Sequence, residues 1–88
     1  MLVLSREINN NVADDTAFAK RVTDCINRFK RKDWGDLMFN DDVTKNNQDI
    51  EALEKGEYGY VLASYGWTDK IWIIRDTEHT TVLFPREY

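Results

Sequence analysis

An α+β fold is predicted by a change of period partway along the chain. Apolar side chains recur at helical spacing in the first part, and they alternate at strand spacing from Tyr58 onward. With 88 residues, 42% of them hydrophobic, the chain has material for one core and is read as a single domain, residues 1–88. The expected architecture is a small antiparallel sheet, made of a C-terminal three-stranded meander and a short N-terminal strand. Two helices are expected to pack on one of its faces.

Leu2-Val3-Leu4 reads as the first strand, and Asn9-Asn10-Asn11 as a break after it, because Asn side chains compete for backbone hydrogen bonds. Asp14, Asp15 or Thr16 can cap a helix over 15–32. Phe18, Val22, Cys25, Ile26 and Phe29 form its apolar face, and Arg28, Lys30, Arg31 and Lys32 place cations at its C-terminal end. Asp33-Trp34-Gly35-Asp36 is a turn carrying a large aromatic. Asn40, Asp41 or Asp42 can cap a second, mostly polar helix that Lys55-Gly56 ends. Tyr58 to Tyr65 alternates with period two. Ile71-Trp72-Ile73-Ile74 is β-branched and aromatic, so it is expected to be covered on both faces. Thr80-Thr81-Val82-Leu83-Phe84 is the last strand, stopped by Pro85.

Composition excludes several classes. One cysteine, Cys25, allows no internal disulfide, which suits a reducing cytoplasm. No apolar run approaches the roughly 20 residues of a membrane span, and the N-terminus lacks the pattern of a signal peptide, so no membrane partner is expected. One His and one Cys cannot supply a usual zinc site. No phosphate loop or nucleophile elbow is present, and no cofactor is implied. Asp33, Asp36, Asp41 and Asp42 cluster around Trp34, but turns and helix caps favour Asp without any chemistry. His79 falls in a predicted turn, where a solvated histidine is the simpler reading. No catalytic or metal residue is therefore assigned, and no enzyme is expected.

The net charge of -4 is unevenly placed. Residues 1–33 carry seven Lys/Arg against five Asp/Glu, residues 34–57 carry two against seven, and residues 58–88 carry three against four. The acidity is thus a local feature of the second helix and the turn before it. Asp36, Asp41, Asp42, Asp49, Glu51 and Glu54 form a candidate protein-binding surface that could imitate a phosphate backbone. Trp67 and Tyr65 flank a turn and are candidate exposed anchors. The alternative is nucleic-acid binding through Arg28, Lys30, Arg31 and Lys32 with Trp67. A pI near 4.9 speaks against it, since such domains are usually strongly basic.

Asp33-Trp34-Gly35-Asp36, Gly56, Ser64-Tyr65, Lys70-Ile71-Trp72-Ile73-Ile74 and the ending Thr80-Thr81-Val82-Leu83-Phe84-Pro85-Arg86-Glu87-Tyr88 resemble a family of small bacterial proteins. These are known as plasmid-related proteins and are carried on plasmids, phages and other mobile elements. The resemblance covers about residues 33–88. Thr77-Glu78-His79 departs from the family's Asp-Arg-Ser turn and removes a cation there. The resemblance implies a mobile-element setting and no catalytic residue. The resulting expectation is a non-enzymatic module that binds another protein, of the host-nuclease or defence-complex kind, as an anti-CRISPR or anti-restriction inhibitor would. A free sheet edge also allows two copies to pair as a homodimer.

Overall fold

The computed structural model describes residues 1–36 and 39–88. The chain is α+β. Strand β1 (Leu2–Leu4) leads into helices α1 (Arg6–Asp14), α2 (Thr16–Lys30) and α3 (Asn40–Glu54). Strands β2 (Val61–Tyr65), β3 (Ile71–Arg75) and β4 (Thr80–Leu83) follow, and one 3-10 turn, Pro85–Glu87, closes the described chain. The sheet order is β1-β4-β3-β2. The meander is antiparallel as expected, but β1 runs parallel to β4, with Val3 beside Thr81, so the sheet is mixed. No helix of the described residues is long and apolar enough to cross a membrane.

Two sequence expectations are corrected here. Among the described residues there are three α-helices, because Asn9-Asn10-Asn11 lies inside α1 and does not break the chain. Those three side chains face solvent, while Ile8 and Val12, one helical turn apart, turn inward. An i, i+4 apolar pair therefore outweighs the turn preference of exposed asparagines. The second expected helix also starts without a polar cap. Its N-cap position is Phe39, and Asn40, Asp41 and Asp42 fall in its first turn. Elsewhere local chemistry decides as predicted. The Asp15 carboxylate accepts the Phe18 N–H at 3.1 Å, and Gly56 takes a left-handed φ of 81° just after α3.

Strand alternation divides the sheet into two faces. The register puts Val61, Ala63, Tyr65, Ile71, Ile73 and Val82 on one side. These meet Ile8, Val22, Cys25 and Phe29 of the helices and form the core. Among the described residues, no helix lies over the other side. β3 is thus covered by helices on one face only, contrary to the expectation from its continuous apolar run.

The C-terminal segment fastens the fold to its N-terminus. At the C-terminal end, Glu87 Oε1 accepts from Ser5 Oγ at 2.6 Å and from Phe84 N at 3.0 Å, and Oε2 accepts from Glu7 N at 3.2 Å. Ser5 is itself the N-cap of α1. Burial alone raises the Glu87 carboxyl, but these hydrogen bonds outweigh it and hold it below the usual range. A carboxylate at a helix N-terminus is also favoured by the dipole. Glu87→Gln should lower stability by about 1–2 kcal/mol, read as a fall in Tm. A melting point equal to the parent's would show that the charge contributes nothing.

Candidate interaction surface

The open face of the sheet presents Val3, Leu62, Trp72, Ile74, Thr81 and Leu83, by the same register that buries their neighbours. Most are half-buried. Tyr88 lies across this face. Its ring meets Trp72 edge-on at 5.8 Å and 70°, and its hydroxyl is 3.3 Å from that of Tyr60. Burial, then the Tyr88 hydroxyl, push the Tyr60 phenol up to about 12. The Tyr60 ring therefore offers a neutral O–H group at the border of an apolar surface. Phe39, 79% exposed at the start of α3, stands at the same border. With Asp42, Lys45, Tyr60, Leu62 and Trp72 it lines a shallow hollow of about 400 Å³.

Helix α3 positions this border by sealing the outer edge of β2. Asn46, buried, donates its Nδ2 to Leu62 O at 2.8 Å and accepts from Leu62 N at 3.4 Å. One residue pair earlier, Asp49 accepts the Tyr60 N–H and Lys45 donates to Tyr60 O, at 3.2 and 2.9 Å. One pair later, backbone groups of residues 34–36 take over. Ser64 N donates to Trp34 O and Asp36 N donates to Ser64 O, both at 3.0 Å. The β2 edge is thus satisfied at every outward residue and is not free to pair with a second copy. The outer side of β1 carries no strand partner among the described residues.

The six acidic residues singled out by charge do not form one surface. Asp36 is off the helix and accepts from Arg28 at 2.8 Å and from Gly66 N at 2.7 Å. Arg28 first, then the Gly66 N–H, hold its carboxyl below the ordinary range. Asp49 pairs with Lys45 at 2.8 Å, and Glu54 with Lys32 at 3.4 Å. Asp41, Asp42 and Glu51 remain exposed. At 100° per residue, Asp42 falls on the side of α3 that faces Tyr60, whereas Asp41 and Glu51 point outward. The sequence run was acidic, but helical geometry and nearby cations split it.

The proposed anchors separate as well. Trp67 is 67% exposed, whereas Tyr65 is only 1% exposed and cannot be an anchor. Its place on the strand puts it on the core face, where its hydroxyl donates to Asp33 O at 2.7 Å and Arg28 lies 4.9 Å from its ring. The basic run fares similarly. Arg28 is held by Asp33 at 2.7 Å and by Asp36, and Lys32 pairs with Glu54, which leaves Lys30 and Arg31. Trp67 sits on the β2–β3 turn beside Asp69, whose carbonyl Arg21 contacts. Lys30 and Lys32 lie near Arg75, at the far end of β3. The nucleic-acid composite of Trp67 with that run is therefore not assembled.

His79 and the Asp33/Asp36 pair are also apart. His79 lies in the β3–β4 turn, where Asp76 accepts the Glu78 and His79 N–H groups at 2.8 Å each. Asp36 is bonded at Gly66, beyond the opposite end of β2 and β3. Cys25 is buried, and burial pushes its thiol pKa up. Among the described residues no three of His, Cys, Asp and Glu gather as a metal site. Tyr60, Trp72, Tyr88 and Phe39 were not singled out from sequence, because aromatics in so short a chain read as core. The signal was the alternation itself, since apolar residues at 60, 62, 72 and 74 occupy the register opposite the core positions. The chain matches no protein-family model, no curated protein and no solved structure.

Proposed function

We propose that this chain is a non-enzymatic protein-binding module that docks its partner on the helix-free face of the sheet. The observation that carries this reading is the cluster of Tyr60, Leu62, Trp72, Ile74 and Tyr88 on a face with no helix over it. Single exposed apolar residues are ordinary, but a contiguous aromatic patch rimmed by polar groups is the usual form of a binding surface. Asp42 at the border and Asp41 beside it favour a partner with a basic rim around an apolar centre. The resemblance to plasmid-related proteins supports a mobile-element setting. In that setting the partner is a host nuclease or defence complex, whose nucleic-acid channel has such a basic rim.

Site-specific photocrosslinking tests the surface. A benzophenone amino acid replaces Tyr88 on the open face, and another replaces Lys20 on α2 as a control. The chain is expressed in a bacterial host. The expected result is one recurrent protein adduct from position 88 and none from position 20, with the adduct lost in Asp41→Lys/Asp42→Lys. Equal adducts from both positions, or an adduct indifferent to both lysines, would reject the reading.

A further inference from the structure

Helix α2 lies over β3 and α3 lies along β2, and between their C-terminal halves the two helices part. A hollow of about 380 Å³ opens there. Its floor is Ile73, Ile50 and Phe29, with Ile26 and Leu2 at the sides. That volume and lining are those of a small-molecule site. The mouth is cationic. Lys30 and Arg75 both reach it, and among the described residues neither makes an ion pair. The one carboxylate on the rim, Glu54, is already matched by Lys32 at 3.4 Å. An apolar floor beneath uncompensated positive charge is complementary to an amphipathic anion.

We propose that this hollow binds a linear monocarboxylate, an unbranched acyl chain with a free carboxyl end. Its tail lies on Ile73, Ile50 and Phe29, and its carboxylate meets Arg75 and Lys30. Arginine suits this role because its planar fork takes both oxygens of one carboxylate. The hollow is too small for a helix and has no wall of aromatics for a planar base. It lies on the face of the sheet opposite the aromatic patch, so it does not rest on the protein-docking reading, and the two fail separately.

Decanoate titrated into the full chain, read by calorimetry and by methyl chemical shifts, tests the site. Saturable one-to-one binding is expected, with shifts confined to Ile26, Ile50 and Ile73. Decanol, equal in tail but uncharged, should bind about tenfold or more weakly, and Lys30→Gln/Arg75→Gln should lose a similar factor. Both residues reach the solvent, so circular dichroism should confirm an intact fold in that variant. Four results would overturn the assignment: no saturation, equal affinity for decanol, unchanged affinity in the double variant, or shifts at Leu62 and Ile74 on the other face. Anionic phospholipid vesicles form a separate arm. Sedimentation with vesicles in the absence of decanoate binding would assign the cations to a lipid headgroup and reject the free acid.

Discussion

Gly35→Ala is expected to destabilise the fold by about 4 kcal/mol or more, enough to leave so small a domain largely unfolded. Gly35 has φ 121°, a region that residues with a side chain rarely adopt. A methyl group there would overlap the carbonyl oxygen of Ser64 and lie 2.6 Å from its carbonyl carbon. That carbonyl belongs to β2, so it cannot swing aside without breaking the sheet. The segment must lift instead. Lifting it removes the two backbone hydrogen bonds to Ser64 and withdraws Trp34 from the core, where it is 3% exposed and packs edge-on against Phe29 at 5.2 Å. It also breaks the bond from Trp34 Nε1 to Asn47 at 2.8 Å. Urea unfolding followed by tryptophan fluorescence measures the loss. Gly56→Ala is the control, because its φ is also positive but nothing lies within 4 Å of the added carbon. It should cost only about 1 kcal/mol. Equal losses at the two sites would mean that backbone strain, not the collision with β2, sets the cost.

The legibility of this sequence follows the range of the interactions involved. The meander and α2 were readable because short-range patterns define them, namely a two-residue alternation and an apolar stripe with Asp15 at its head. Helix α1 was misread because its local signal is short, the single i, i+4 pair Ile8 and Val12, and that pair gains its weight from the core it meets. Ser5 at its head is also held by Glu87, across nearly the whole chain. The parallel pairing of β1 with β4 is equally non-local. At the site, composition located the acidic segment but not the partners that neutralise half of it. Lys32 comes from the turn that follows α2, and Arg28 reaches Asp36 through a loop whose course depends on Gly35. The open face was written in the sequence as a second set of apolar alternations. Recognising it required knowing that all three helices pack on one side.

Arg28→Met is the second change of large effect, and it should cost about 2 kcal/mol at pH 7. Removing one member of a fully buried pair costs about 3–5 kcal/mol, but here water still reaches both carboxylates, so the loss is discounted. Side-chain exposures of 28% for Arg28, 41% for Asp33 and 25% for Asp36 justify that discount. Methionine keeps a stem of similar length but removes the guanidinium, with both its ion pairs and its contact over the Tyr65 ring at 4.9 Å, so the change reports mainly on charge. The pH dependence separates the charge effect from any packing defect. Hydrogen bonds from Arg28 are the leading cause that depresses both the Asp33 and the Asp36 carboxyls. A carboxyl with a lowered folded pKa stabilises the fold above its unfolded pKa of about 3.9, and that contribution disappears as pH falls through the folded value. The parent protein should therefore lose stability as pH drops from about 5 to below 3. The variant, with less depression to lose, should give a flatter curve in the same window. Some slope persists, because Gly35 N still donates to Asp33 and Gly66 N to Asp36. The two curves should converge in acid, and a gap at pH 3 equal to that at pH 7 would locate the whole effect in packing. Either way the damage falls between α2 and β2, on the side of the sheet away from Trp72 and Tyr88. Arg28→Met held below its melting point should thus retain the position-88 crosslink, and its loss in the folded variant would tie partner binding to the Asp33–Asp36 loop.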